Sequence, residues 1–495
     1  MTGQSGECNI YNNAHMKEKF YIGITFIILS STFVTLFSYT TSPIYSEWGD
    51  TPDSPIFQII GKYWKEGWIP YKDLWDLKGP YIFFMDAIGY WLTGTRIGVY
   101  LLQITFMVLT LMSIYKIFAE DFSRRNSMLM VIISLMSLSY IYEGGNLTEE
   151  YLLPFLGLSF FFVLKWVKRF TKEKVVEHPP LFATLYGVVL GLSLMSRLTN
   201  ALPICGAVAV IAAVLLVNGR YKNLFYNTVS MMAGFVCSTL PFFIYFHHQS
   251  ALYEMWNATF LYALKYAGNS TKDILSTGLH YFILSYLGSI LLITVVFMLY
   301  LRQRSMTVRM WLYFMSAALP FVWFCQGNGF GHYGMTVFPL TAIALSEISK
   351  MKFRKVFVAV VFILAVAATS KIRYMWIMYN HHNTEITCYK EFLRQSTIAD
   401  YSSFVAYNCS PNIYLALDIR PVTPFFALQD FAIERNPLLL DDVMKAFTTR
   451  QPQWILLSKK DDEQPQIHRI LDTDYCVVKQ DEKAHLILYK RIKQL

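Results

Sequence analysis

The chain alternates long apolar runs with short polar connectors, and the runs set the fold. About 20 apolar residues are needed to cross a bilayer's hydrocarbon core. Runs near that length are expected as spans near 20–40, 97–117, 127–142, 150–166, 181–196, 200–217, 225–246, 276–300, 310–325, 333–349 and 356–373. The first run, Phe20 to Tyr39, is followed by no small-residue cleavage site and reads as a signal anchor. A shorter run, Tyr81 to Leu92, reads as a helix lying at the membrane interface. The expected architecture is therefore an α-helical polytopic membrane protein with roughly eleven spanning helices.

The polar connectors carry an internal check. Lys17 and Lys19, Lys116 with Arg124 and Arg125, and the group from Lys165 to Lys174 fall on one side of the expected count. So do Arg220 and Lys222, Arg302 to Arg309, and Lys350 to Lys355. Basic residues mark the cytoplasmic side. An odd number of spans then puts the N-terminus inside and the tail outside. Two domains follow: 1–375 in the membrane, with a long first exterior loop at 41–96, and 376–495 exported.

The tail has a different pattern. Cys388 to Gln395 reads as a helix, Phe404 to Tyr407 and Trp454 to Leu457 as strands, and Tyr475 to Lys479 with His485 to Tyr489 as a closing hairpin. Strands alternating with helices predict a small α/β domain. No internal repeat is visible, which weighs against a transporter built from inverted halves.

Composition sharpens this. The 495 residues are 54% hydrophobic and only 16% charged, with a mean hydropathy of +0.35; soluble domains carry about 25% charged residues. The net charge of +9 sits in the connectors, so membrane lipids are expected partners and nucleic acid is not. The seven cysteines have no metal-ligand or disulfide spacing, although Cys388, Cys409 and Cys476 lie in the exported tail, where they can oxidise. Asn146, Asn257 and Asn269 open Asn-x-Ser/Thr sequons that read as chance in a bacterial protein.

Candidate chemistry concentrates outside. In the first loop, Asp53 falls in the first turn of an amphipathic helix behind Thr51-Pro52, where a carboxylate also simply complements the helix dipole. Asp50 and Asp73 have an equally plain reading as turn residues. Asp76-Leu77-Lys78-Gly79-Pro80 follows. In the second exterior turn Thr148, Glu149 and Glu150 make either a helix cap or a substrate or metal group. Arg197 is an exterior cation between two spans. A charge at membrane depth costs about 2.5–3.5 kcal/mol and is a functional candidate by default, suited to phosphate through its fork or to headgroup snorkelling. His332 and Tyr333 close a Gly-rich turn before a span.

The first loop resembles that of GT-C glycosyltransferases, nearest to the bacterial members similar to protein O-mannosyltransferases and the lipid A aminoarabinose transferase. Asp53-Ser54 matches the pair that carries their catalytic aspartate, and Asp76-Leu77-Lys78-Gly79-Pro80 matches their acid-Lys-Pro-Pro run. The resemblance implies that Lys78 holds a lipid-linked phosphate. Two departures stand out: Ser54 where Glu is usual, and Gly79 where the first Pro is usual. The family also carries acids in its second exterior loop and a late His-Tyr motif like His332-Tyr333.

The expected function is an inverting glycosyl transfer on the extracytoplasmic face of a bacterial inner membrane. The donor is a polyprenyl-phosphate-linked sugar and the acceptor a glycan, lipid or protein. Asp53 is the expected base. Lys78, Asp76, Asp73, Arg197, Glu149, His332 and Tyr333 are the expected substrate-binding residues. A divalent metal on Asp50, Asp53, Asp73 or Glu149 is left open. The rival reading is a lipid or saccharide transporter or flippase, which predicts acids facing a midplane cavity.

Overall fold

The computed structural model describes residues 4–45, 53–262, 283–325, 330–351, 354–380, 385–396, 398, 400–427, 438–459 and 464–492. The helices are α1 (Gln4–Phe37), α2 (Asp53–Lys65), α3 (Pro80–Thr93), α4 (Arg96–Ala119), α5 (Arg124–Ile141), α6 (Leu153–Lys172), α7 (Pro180–Leu194), α8 (Leu202–Val217) and α9 (Tyr221–His248). After the short α10 (Leu252–Trp256) and a π-helical turn, Asn257–Tyr262, come α11 (Leu287–Gln303), α12 (Val308–Phe324), α13 (Phe338–Lys350) and α14 (Arg354–Asn380). A helix thus stands at each expected span, though the start of the span expected at 276–300 lies outside the described residues.

Among the described residues, six segments are long and apolar enough to cross a membrane: Phe20–Phe37, Arg96–Ala119, Glu150–Lys172, Leu198–Val217, Tyr221–His248 and Lys355–Ile377. Helices α7, α11 and α12 are shorter apolar helices. The 13-residue α13 rises only about 20 Å at 1.5 Å per residue. Length and apolarity alone therefore do not give the full count of eleven. Helix α3 has 14 residues, and Tyr81, Ile82, Phe83 and Asp86 are buried in it. Helix α14 runs to Asn380, past the expected domain boundary at 375.

Close helix approaches depend on missing side chains. A Cβ on Gly187 of α7 would stand 1.9 Å from the Met231 carbonyl oxygen of α9, and one on Gly234 of α9 would stand 2.0 Å from that of Thr184. Near the C-terminal end of α13, buried Glu347 accepts from the Tyr313 hydroxyl at 3.2 Å and pairs with Lys350 at 3.2 Å and Arg309 at 3.7 Å. Lys350 also reaches Asp121 at 2.5 Å.

The tail is an α/β unit. It contains α15 (Glu385–Arg394), β1 (Phe404–Tyr407), α16 (Asn412–Ala416), α17 (Leu438–Arg450), β2 (Trp454–Ser458), α18 (Pro465–Asp474), β3 (Tyr475–Asp481) and β4 (Leu486–Arg491). The sheet order is β1-β2-β4-β3. β1 and β2 are parallel, in register Phe404 to Trp454, while β4 is antiparallel to both β2 and β3. A bulge lies between Val477 and Lys479.

Side chains alternate across a strand, and in β1 and β2 both faces are buried, while β3 is largely exposed. Val405, Tyr407, Ile455 and Leu457 pack with Val443 of α17 and Leu471 of α18. Phe404, Ala406, Trp454 and Leu456 join the core that continues into the membrane domain. Cys388 and Cys476 are free thiols, and the buried Cys409 donates its Sγ–H toward the Tyr407 and Leu456 carbonyls.

Candidate active site at the first long loop

Asp53 is the first residue of α2, and burial of Ile56, Phe57, Ile59, Ile60 and Tyr63 fixes that helix to the bundle. The loop that follows is shaped by its acids. The Asp73 carboxylate accepts the Ile69 amide at 2.7 Å, and the Asp73 amide returns to the Ile69 carbonyl at 2.9 Å. Asp73 is thus bound up in its own turn. Asp76 accepts the Lys78 amide at 2.8 Å, and the Tyr71 hydroxyl donates to the Lys78 carbonyl at 2.8 Å. These two bonds hold the Lys78 backbone from both sides. Burial pushes the Asp76 carboxyl above the usual carboxylate range; the Lys78 ammonium and amide pull it back, and Asp53 pushes it up. The Lys78 ammonium lies 3.8 Å from Asp53 and 5.6 Å from the centre of the Phe57 ring.

Arg197 arrives from the far side of the sequence. The Gly79 amide donates to the Ser196 carbonyl at 3.0 Å, and the Tyr81 amide donates to the Met195 carbonyl at 2.8 Å. Arg197 follows directly, as the cap of a 3-10 turn, Leu198–Ala201. Its guanidinium lies 3.0 Å from the centre of the Tyr333 ring, and its Nη1 is 3.4 Å from the buried Glu149. The Thr148 hydroxyl also donates to Glu149, at 2.8 Å.

Tyr333 and His332 belong to a 3-10 segment, Gly331–Val337, that leads into α13. Burial pushes the Tyr333 phenol up to about 12; Arg197 and Lys78 pull it down, while Glu149 and Asp53 push it up. Four charged groups from three loop segments thus lie within electrostatic reach of Tyr333, Arg197 in contact with its ring. The His332 ring lies edge-on to Tyr333 at 4.6 Å, and its Nδ1 is 2.5 Å from Glu143. Burial opposes charge on His332, but Glu143, with Glu149 and Asp53 further off, holds it above the ordinary imidazole value.

Beneath Asp53 lies a buried polar layer absent from the expected site. The Ser54 hydroxyl donates to Thr40 at 3.0 Å and receives the side-chain amides of Gln58 and Asn146, each at 3.1 Å. Asn146 also donates to Asp86 at 3.1 Å and accepts from Tyr151 at 2.9 Å. Glu150 accepts the Asn146 amide at 2.8 Å and the Gln103 side chain at 2.9 Å, and the Tyr142 hydroxyl donates to it. The small Ser54 is thus a buried hub, at the position where the resembling family has a larger acid. Asn146 is buried with a φ of 57°, out of reach of any modifying enzyme in the folded chain. Of the other sequons, Asn257 opens the π-helical turn, and Asn269 lies outside the described residues.

The site therefore brings together Asp53, Lys78, Asp76, Arg197, Glu149, His332 and Tyr333. Asp73 serves its turn, and Asp50 lies outside the described residues. Glu143 is the member that sequence reasoning missed: one more acid in a turn that already held two. Among the described residues no group of three His, Cys, Asp or Glu side chains is arranged to hold a metal ion. Asp53 lies beside Lys78 and Glu149 beside Arg197.

Comparison with known proteins follows the same lines. The model of the family described as "Putative competence-induced protein Ccs4 N-terminal domain" matches residues 12–358. No curated protein matches by sequence. Among solved structures, ArnT of Cupriavidus metallidurans bound to undecaprenyl phosphate superposes with a TM-score of 0.59 at 15% identity, covering 95% of this chain and 98% of that one. The apo form of the same protein also gives 0.59 at 15% identity, covering 95% and 97%. An oligosaccharyltransferase of Archaeoglobus fulgidus in the apo form reaches 0.47 at 11% identity, covering 88% of this chain and 69% of that one. The chain is a multi-pass membrane protein with the GT-C fold, and it belongs to the competence-induced Ccs4 family.

Proposed function

We propose that this chain is a membrane glycosyltransferase, working on the extracytoplasmic face of a bacterial inner membrane, that moves a sugar from a polyprenyl-phosphate carrier to an acceptor with inversion. One arrangement carries the reading: the Lys78 ammonium lies 3.8 Å from Asp53, and the Gly79–Ser196 hydrogen bond ties its segment to Arg197, which lies 3.4 Å from Glu149 and over the Tyr333 ring. A carboxylate beside two cations is what a displacement at an anomeric carbon needs when phosphate leaves. The fold of an ArnT that was solved with undecaprenyl phosphate supports the choice of carrier.

In this mechanism Lys78 and Arg197 take the charge that develops on the departing phosphate. Electrostatic stabilisation of that kind is usually the largest single contribution to catalysis. Asp53 receives the proton of the acceptor hydroxyl as its oxygen attacks the anomeric carbon and the carbon–oxygen bond to phosphate breaks. Positioned general bases contribute about 10²–10⁴ in rate.

The test is transfer in liposomes from a panel of radiolabelled polyprenyl-phosphate sugars, with wild type beside Asp53→Asn. Transfer or hydrolysis of any donor that falls at least about 100-fold in the variant supports the proposal. Tight lipid-saccharide binding with no turnover, unchanged by Asp53→Asn, moves the assignment to a transporter.

A further inference from the structure

Three acid–base pairs face one another around Tyr333: Asp53 with Lys78 at 3.8 Å, Glu149 with Arg197 at 3.4 Å, and Glu143 with His332 at 2.5 Å. The first two supply the cations of the proposed mechanism. The third has no part in it yet. We propose that Glu143 is a positioning residue that grips His332 through Nδ1, so that its Nε2–H is presented as a third positive donor to the carrier phosphate beside Lys78 and Arg197. The inference rests on the reading of this site as a lipid-phosphate site.

The argument is one of donors and charge. His332 is 8% exposed, and its Nε2 has no hydrogen-bond partner among the described residues. A neutral imidazole that donates from Nδ1 has a bare acceptor at Nε2, which repels a phosphate oxygen; only the doubly protonated ring donates from both nitrogens. Burial alone would discharge such a ring. Glu143 reverses that preference, and Glu149 and Asp53 add to it.

The ring is also held in place. It stacks against Phe330 at 5.7 Å and meets the Tyr333 edge at 4.6 Å, and Tyr333 carries Arg197 on its face. His332, Tyr333 and Arg197 are therefore contiguous. The charged groups around the ring are Glu143 from the turn after α5, Glu149 from the turn before α6, Asp53 from α2, and Lys78 and Arg197, which act on Tyr333. Lys371 of α14 is within electrostatic reach of Glu143. The departing carrier is a phosphomonoester, which carries between one and two negative charges near neutral pH, so a further positive donor favours it.

The experiment titrates undecaprenyl phosphate against the full-length protein in detergent, from about pH 5.5 to 8.5, a range that brackets the ordinary imidazole value near 6.5. Wild type, His332→Gln, Glu143→Gln and the double variant Glu143→Gln/His332→Gln are compared. The readout is the ratio of wild-type to His332→Gln affinity, which cancels the ionisation of the lipid itself. The ratio should be largest at low pH, roughly tenfold, and fall toward one as pH rises through the raised imidazole value. In the Glu143→Gln background, read as the ratio of Glu143→Gln to Glu143→Gln/His332→Gln affinity, that fall should move to lower pH. A merely structural histidine would not move a pH midpoint. A ratio flat with pH, or a midpoint unmoved by Glu143→Gln, overturns the inference while Lys78-dependent binding leaves the phosphate site standing. No wild-type binding at any pH overturns the phosphate site and this inference with it.

Discussion

The amide of Gly79 donates to the carbonyl of Ser196 at 3.0 Å, and this bond joins the segment that carries Lys78 to the segment that carries Arg197. A Cβ on Gly79 would stand 2.2 Å from the Met195 carbonyl oxygen. Two cations 119 positions apart in sequence are thereby held as neighbours of one site. The glycine has a physical reason here: proline has no amide to donate, and any side chain would force the two segments apart.

Gly79→Ala should therefore separate the cations without touching either. Overpacking of this kind costs about 1–3 kcal/mol. Thermal unfolding in detergent should drop, and affinity for undecaprenyl phosphate should fall further than the lost stability explains. Gly79→Pro should be worse, because it also loses a hydrogen bond worth about 0.5–1.5 kcal/mol. Unchanged affinity in Gly79→Ala would show that the clasp does not set the cation spacing.

The Arg197 guanidinium lies over the Tyr333 ring, 3.0 Å from its centre, so charge alone does not describe its role. Lysine keeps the charge and loses the planar fork and the stack. A cation–π contact is worth about 0.5–2 kcal/mol, so Arg197→Lys should weaken undecaprenyl phosphate binding roughly 2- to 30-fold, and Tyr333→Leu should do the same. The double variant should lose no more than either single change. Additive losses in such a cycle would mean that the two residues act independently.

Much of this was legible in the sequence because it was local. The apolar runs gave the helices, the alternation of strands in the tail gave the α/β domain, and the spacing around Asp53 and Lys78 carried the resemblance to GT-C enzymes. What stayed hidden was long-range or buried. Asp86 read as an interfacial residue, because nothing in a 14-residue apolar helix says that its one acid turns inward. Asn146 read as a chance sequon, though it is the hub that joins Ser54, Asp86, Glu150 and Tyr151. Glu143 and His332 lie 189 positions apart, and no periodicity links them.

The buried layer makes a stability prediction with a sign. Burial pushes the Asp86 carboxyl well above its usual range, against the Asn146 hydrogen bond that lowers it and with Glu150 raising it further. Among the described residues one of its oxygens, Oδ1, has no hydrogen-bond partner. An acid whose folded value is raised stabilises the fold fully below its unfolded value, near 3.9. That contribution declines as pH rises from there through the raised value. Asp86→Asn keeps the shape and removes the proton, so its melting temperature should change less than wild type's between about pH 4 and 8. Parallel pH profiles for the two proteins would assign the titration elsewhere. Asn146→Ala should cost more, about 1–3 kcal/mol for each partner left unsatisfied, at any pH.

The tail meets the first loop through residues 418–425, and its contacts are unequal. Lys62 pairs with Asp418 at 2.5 Å, but Asp418 is 84% exposed, and exposed pairs contribute about 0–1 kcal/mol. Arg420 lies over Trp68 at 4.7 Å. Trp75 donates its amide to Pro424 at 2.9 Å and meets Phe425 at 5.4 Å and Tyr262 at 5.6 Å. Trp75 lies in the same loop as Asp76 and Lys78, so the tail braces the segment that presents the lysine. Asp418→Ala should leave hydrogen exchange in 411–427 within error of wild type. Trp75→Ala should speed it, with a loss of about 1–3 kcal/mol, below the roughly 3–5 of a fully buried tryptophan, and should weaken undecaprenyl phosphate binding. Faster exchange with unchanged binding would mean that the tail covers the loop without shaping it, because a loosened brace would then leave Lys78 where it was.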